Sequence, residues 1–471
     1  SGAGPGGEVA YWTPRRRLYA AAVLATTSAC LFADQNLMAP NLTAIARDMG
    51  MSDDERDEKL GGEVALAFWV TGAPVALLVG VLADLVDRRL LFVAVVFVGE
   101  GPCLATYWVT RYWQLLLLRA LTGVSIGGAM PLLYSLMGDL YASDRRAAAA
   151  AAVGMAQGVG VFAGQSLAGF VGPRYGWRLP FVLVSVPALA CALVVLLTTR
   201  EPPRGMSEVA LRGRGTAYAG RLTRAKAVRA FRGRCNLLVF AQGLPGCMPW
   251  GVMNAFFTDF LSQQKGLEVE RATGLVLMFG VGAAVGNLGG GLAGQWVYNR
   301  SKAHLPYLMA ATTAAGAAPL LAVANLPLTS PGQYAGASAL ALLGGALSCV
   351  TGANVRAVLL NVNAPEIRGT VFAVLSLMDD LGKGAGPAAV AALIGAMGRR
   401  AAINASLSAW LACAALLAAI GRYLEGDEEE VQRALAARHD GLGAGDGDEE
   451  GGEGSGGGGE LAPLSLASSG G

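Results

Sequence analysis

At 471 residues, of which 54% are hydrophobic and only 15% charged, the chain carries more apolar surface than a water-soluble core can use. Its 36 basic and 34 acidic residues nearly cancel, to a net charge of +2, and gather between apolar stretches. That distribution excludes a nucleic-acid partner held by bulk charge. A bilayer-crossing helix takes about 20 apolar residues, so twelve would use about 240, close to the whole apolar inventory. The composition therefore predicts an all-α polytopic membrane protein in contact with the lipid bilayer.

In chain order, the apolar runs predict spans at about 18–40, 63–83, 89–109, 113–136, 147–170 and 177–198. A polar interruption follows, and then spans at about 236–261, 271–295, 303–325, 332–357, 370–396 and 401–423. The expected organisation is a disordered N-terminus (1–17), a six-helix bundle (18–199), a basic linker (200–235), a second six-helix bundle (236–424) and a disordered tail (425–471). The tail is acidic and glycine-rich, with too few apolar residues for a core. Ten Lys/Arg between Arg200 and Arg234 face only Glu201 and Glu208, which places the linker in the cytoplasm by the positive-inside rule. Arg15 to Arg17, Arg88, Arg89, Arg145 and Arg146 fall on the same side when each half holds six spans, so both termini are expected to be cytoplasmic. Which membrane the chain occupies is not legible, and no signal-peptide pattern precedes the first span.

Enzyme chemistry finds little to work with. Seven cysteines lie singly and two histidines fall outside the spans, so no disulfide framework, zinc site or Ser/Cys-His system is expected. Gly382–Lys383 lacks the upstream glycine of a phosphate-binding loop, where Leu377 stands instead. No catalytic residue, cofactor or metal is expected.

Glycines recur through spans four, five and eight, including Gly123, Gly127, Gly160, Gly164, Gly282 and Gly286. Small residues at this spacing let helix backbones approach, either for static packing or for bundles that rock. Charges inside spans demand a reason, since an arginine there costs at least about 2.5 kcal/mol unless paired or hydrated. Asp34 and Arg119 fall within a few residues of the outer ends of spans one and four, at a similar depth. Span eleven carries Asp379, Asp380 and Lys383; one acid can neutralise the lysine, leaving the other as a protonation or cation site, unless the cluster is only packing. Trp250 and Asn254, one turn apart on span seven, can offer an aromatic face and an amide to a solute, with Pro245 and Pro249 loosening the backbone. Glu100, between Gly99 and Gly101–Pro102 in span three, finds no account in the sequence.

The motifs resemble those of the major facilitator superfamily over about 18–423. Gly80-Val-Leu-Ala-Asp84-Leu-Val-Asp87-Arg88-Arg89 is similar to its G-x-L-A-D-R-x-G-R-[RK] loop, departing at Leu85 and Asp87. Arg119-x3-Gly123-x3-Gly127 resembles its fourth-span pattern, and Trp177-Arg178-Leu179-Pro180-Phe181 its sixth-span opening. Acid-then-arginine loops at Asp139 to Arg146 and at Glu366 to Arg368 repeat between the halves, as a duplicated six-span unit requires. Arg200-Glu-Pro-Pro-Arg204-Gly is similar to the Spinster-like branch, which carries lysophospholipids or sphingosine phosphates; that branch's span-one acid is matched by Asp34, while its glutamate seven residues after the span-four arginine falls on Ile126 here.

The resemblance implies two pseudo-symmetric bundles and alternating access. The solute is then a small organic or lipid-like molecule, carried by a monomer with or without protons. Asp84 with Arg88, Arg89, Asp139, Arg145, Glu366 and Arg368 are the expected conformational latches. Spans one and four line the cavity by resemblance, so Asp34 and Arg119 become the expected coupling pair. A facilitator or a lysolipid exporter is the alternative; a receptor or channel accounts for fewer of these features.

Overall fold

The computed structural model describes residues 11–433, except 142, 204–230, 232 and 364–366. Helices occupy each predicted span: α1 (Pro14–Ala33), α2 (Val64–Leu85), α3 (Arg88–Ala105), α4 (Tyr112–Leu140), α5 (Ser143–Tyr175) and α6 (Leu179–Thr198), then α7 (Arg234–Val252), α8 (Val269–Arg300), α9 (His304–Asn325), α10 (Pro331–Ser348), α11 (Arg368–Met397) and α12 (Arg399–Ile420). Among the described residues, eight helical segments are long and apolar enough to cross a membrane. The other four are α1, α5, α7 and α11.

Local chemistry sets the ends. Thr13 caps α1 with Pro14 at its first turn, and Ser330 caps α10 with Pro331 in the same place and Gln333 closing the capping box. Gly398, at φ +81°, makes the sharp turn between α11 and α12 that a residue with a Cβ would resist. Two helices contain π-helical turns: Arg56–Glu63 leads into α2, and Met253–Phe257 continues α7 four residues beyond Pro249, before Thr258–Lys265. Span one is shorter than the apolar pattern suggests. The polar run Asp34-Gln35-Asn36 ends α1 at Ala33, and the chain turns through Ala39–Asn41 into the short helix Leu42–Asp48.

The packing has twofold pseudo-symmetry. Within the first half α1 lies on α5 and α6, α2 on α4, and α3 on α4 and α6; within the second, α7 lies on α11 and α12, α8 on α10, and α9 on α10 and α12. Between halves, α2 meets α11 and α5 meets α8, which are again equivalent pairs. Glycines make these approaches possible, as the sequence suggested. A Cβ at Gly123 or Gly127 would strike the α2 backbone, at Gly160 or Gly164 the α1 backbone, and at Gly282 or Gly286 the α10 backbone. Gly251 stands equally close to the α11 backbone at Lys383.

Among the described residues three large hydrophobic cores divide the molecule unequally, with a small fourth at Phe68, Trp69 and Ile126 of the first half. One, at the end away from the linker, joins both halves: Leu37, Met38 and Leu42 pack with Phe256, Phe260 and Leu275. Nearer the linker the core splits in two. Trp12, Leu24, Phe92 and Leu133 belong to the first half, and Phe240, Met309, Leu359 and Leu417 to the second. Residues on both flanks also extend further than the sequence suggested: Trp12 is buried ahead of α1, and 424–433 form a helix held to the second half, although 425 onward was expected in the disordered tail.

Candidate functional site

The shared end is tied by charge as well as by apolar packing. Arg399 Nη2 donates to Asp259 Oδ2 at 2.6 Å and stands 3.4 Å from Asp57 Oδ1 of the other half. Arg56 Nε donates to Asp57 at 2.9 Å and lies 3.8 Å from Asp259. Thr43 Oγ1 donates to Asp259 Oδ1 at 2.6 Å. Two arginines and two aspartates, all at least nine-tenths buried, thus balance one another across the seam. Asn36 donates to Asn254 Oδ1 at 3.2 Å, Gln165 to Thr258 at 3.2 Å, and Arg174 approaches Glu270 at 3.6 Å. The two π turns meet here, with Gly61 against the Phe256 ring. Local widening of a helix is common at functional positions, and here it sets both segments into the seam.

At the linker end the described polar ties stay within one half. Arg88 donates to Glu201 Oε1 at 2.8 Å, to Ser135 at 2.9 Å, to the Pro202 carbonyl at 3.1 Å and to Asp139. Arg89 donates to the Thr199 carbonyl at 2.6 Å. Asp87, where the motif departs from the family, caps α3 by accepting from the Leu90 amide at 2.9 Å. Arg88 was expected beside Asp84; among the described side chains its acids are Asp139 and Glu201. The side chains of Asp84, Arg145 and Arg368, and all of Glu366, lie outside the described set. Gly80 has open space where a Cβ would stand. The second half has its own hub. Glu428 accepts from Tyr298 at 2.7 Å and from Lys302 at 2.7 Å, and its carboxylate raises the Lys302 ammonium above its ordinary range. Asn236 and Asn363 pair at 2.8 Å beside it.

Between these ends lie the remaining predicted residues. Asp34 is fully buried at the end of α1, and Arg119, 3% exposed, donates Nη2 to the Asp34 backbone carbonyl at 3.2 Å. The sequence suggested a carboxylate–guanidinium bond; helix α1 ends at this residue, so the carbonyl left free there takes the donor. Nη1 of Arg119 and all four carboxylate oxygens of Asp34 and Glu100 lack a partner with hydrogen-bond geometry. Phe68 and Phe181 lie under the guanidinium at 4.9 and 5.7 Å. Glu100, which the sequence left without a role, is fully buried beside Asp34; the ligating atoms of Asp34, Glu100 and Cys103 all fall within 4.8 Å of one another.

In α11, Lys383 pairs with Asp380 at 3.0 Å and sits 4.5 Å over the Trp69 ring, reaching across to the first half. Asp379 instead faces Cys247 of α7, with Arg356 within electrostatic reach. Trp250 packs on Phe279 at 4.9 Å and Trp410 at 6.4 Å, inside its own half. Sequence reasoning missed Arg56, Asp57 and Arg399 as a set; the one available signal was charge persisting at the edges of apolar runs.

Two pseudo-symmetric helical bundles, joined at one end and separate at the other, with buried charges between, define an integral multi-pass membrane transporter and not an enzyme. The chain matches the model of the Major Facilitator Superfamily over residues 24–387 and belongs to that family. It is 26% identical to the gallate transporter of Pseudomonas putida over 71% of this chain and 76% of that one. It is 31% identical to the 4-hydroxybenzoate transporter PcaK of the same organism, but spans only 30% of that relative's length, over 29% of its own. In fold it resembles a bacterial homologue of the human lysosomal transporter Spinster in an inward-facing, unoccupied conformation, with TM-score 0.75 at 19% identity, over 88% of this chain and 99% of the other. A D-xylose–proton symporter aligns with TM-score 0.65 at 17% identity, over 86% and 97%.

Proposed function

We propose that the chain is a proton-coupled secondary transporter for a small organic solute, working as a monomer by alternating access. The observation that carries this reading is the division of the core: one shared core seals the end away from the linker, and two separate cores leave the halves parted at the linker end. A solute enters from the linker side, which the basic composition of 200–234 assigns to the cytoplasm together with both termini. Rocking of the halves about their glycine-lined contacts then transfers the opening to the other end. Asp34 and Arg119, buried inside the first half two residues ahead of the Asn36–Asn254 contact with the second, are the coupling groups in this reading.

An aromatic carboxylate suits the parted region. Lys383, paired with Asp380, and Arg356, near Asp379, supply cations that an incoming carboxylate would compete for, and Trp69 and Tyr134 supply flat apolar faces near them. The names of the two Pseudomonas relatives point to the same chemical class. The test is counterflow in proteoliposomes of the purified full chain, loaded in turn with 4-hydroxybenzoate, gallate and lysophosphatidylcholine. Labelled 4-hydroxybenzoate is expected to accumulate transiently against internal unlabelled solute, faster under an imposed pH gradient. Counterflow by the lysolipid alone would replace the solute with a lipid, and no dependence on the pH gradient would make the chain a facilitator.

A further inference from the structure

Helix α3 brings a second acid to the place where α1 ends. Gly99 permits it: a Cβ there would collide with Ser125 of α4, and Gly128 in turn lies against Val95, so α3 and α4 pack closely at this level. One residue on, Glu100 turns inward and meets Asp34, with Cys103 a helical turn away. No water-exposed surface reaches either carboxyl. The charged or titratable groups facing the pair are Arg119 from α4, Cys103 from α3, and Cys30 of α1, which lies against Cys191 of α6. From α2 and α6 the site receives the rings of Phe68 and Phe181. Among the described residues one full cation faces the pair, the Arg119 guanidinium, and its Nη1 has no partner.

We propose that Asp34 and Glu100 form a carboxyl pair that binds one proton between them beside Arg119, so that the proton site of this transporter draws its second acid from α3. The argument is one of charge. Two ionised carboxylates against one guanidinium leave a net negative charge in a dry site, where it is costly; one proton bridging the carboxyls makes the cluster neutral and gives oxygens that now lack partners a hydrogen bond. The same guanidinium argues against a divalent metal ion on the three ligating side chains, because a dication would sit beside a fixed positive charge. Release of the proton then requires water to reach the pair, which ties its charge state to movement of α1 against α3 and α4.

This inference rests on the proton-coupled reading above but is tested without any solute. Infrared difference spectra between acid and alkaline pH are recorded for the wild-type full chain in liposomes, and for Glu100→Gln, Asp34→Asn, Glu100→Asp, Asp379→Asn and Cys103→Ala. A protonated-carboxyl C=O band is expected in the wild type and in Asp379→Asn and Cys103→Ala. It should vanish in both Glu100→Gln and Asp34→Asn, since either acid left alone pairs with Arg119 as a carboxylate. Glu100→Asp, which keeps both carboxyls, should retain the band at a shifted frequency and so covers the case in which Glu100→Gln fails to fold. Survival of the band in Glu100→Gln, its loss in Asp379→Asn instead, or tight Zn²⁺ binding abolished by Cys103→Ala would each overturn the proposal. If wild-type 4-hydroxybenzoate uptake ignores the pH gradient while the band behaves as expected, the coupling reading fails and the carboxyl pair stands.

Discussion

The two ends of this molecule hold charges in different ways. At the end away from the linker, Arg56, Asp57, Asp259 and Arg399 cancel across the seam between halves, buried within a core that both halves share. At the linker end, Arg88 with Asp139 and Glu201, and Glu428 with Lys302 and Tyr298, cancel inside single halves that have cores of their own. Charges shared across a seam must separate when the seam opens. Charges confined to one half travel with it. On the proposed alternating-access reading the comparison teaches where resistance to movement lies: the sealed end carries the conditional interactions, and the hubs at the parted end would keep each bundle rigid as it moves.

The sharpest way to break that contrast is Arg399→Ala. It leaves Asp57 and Asp259 buried with Arg56 as their one remaining cation in the network, and loss of one partner from a buried ion cluster costs about 3–5 kcal/mol. That cost falls on the sealed form. A cysteine at Ala391, which packs against Gly62 in the seam, is expected to label much faster from the sealed side in Arg399→Ala than in its parent. Unchanged labelling would mean that the four charges do not hold the seam. Removing Asp259 as well should recover part of the loss, since the two residues act on each other.

A second, smaller effect separates moving contacts from idle ones. Gly164→Leu drives a side chain into the α1 backbone at Ala33, and overpacking of this kind costs about 1–3 kcal/mol. Gly158, on the same helix, has nothing within 4 Å of its Cβ position, so Gly158→Ala should stay within about 0.5 kcal/mol of wild type. Thermal unfolding of the purified protein in detergent checks both; equal shifts would show that the glycine spacing does not set the α1–α5 approach.

The smallest effect belongs to the linker-end hubs. Lys302 is partly exposed, so its pair with Glu428 is screened, and Glu428→Gln should cost only about 0.2–1 kcal/mol without altering access at the sealed end. Because the lysine's value is raised in the folded protein, this contribution is complete at neutral pH and fades as pH rises through that raised value. Melting temperatures of wild type and Glu428→Gln measured across alkaline pH should therefore converge; a gap that widens there would reverse the assignment.

Much of the fold was legible because membrane helices announce themselves locally. Apolar runs placed the twelve long helices, though not the short Leu42–Asp48 or the helix at 424–433, and the glycines of α4, α5 and α8 marked true backbone contacts. The ends of spans were less legible: α1 stops at Ala33 because Asp34-Gln35-Asn36 can leave the helix, which hydropathy alone averages away. The candidate site was legible one residue at a time. Asp34, Arg119 and Lys383 stood out as charges in apolar surroundings, but their partners did not. Arg119 meets a backbone carbonyl, which no side-chain pattern encodes, and Arg399 meets Asp259, 140 positions earlier in the chain. Arg56 and Asp57 fall between the first two predicted spans, and their burial depends on a half of the protein that the local sequence does not contain.

The central claim is that the two ends open in opposition. Pairs of spin labels at Asp54 and Gln264, on the sealed end, and at Val86 and His304, on the linker end, report the two separations in the full chain in liposomes. With the seam intact, the first pair should give one short, narrow distance distribution and the second a longer one. On Arg399→Ala, the account predicts that the first lengthens while the second shortens. Lengthening of the first with no change in the second would mean that the sealed end frays locally and that the halves do not rock.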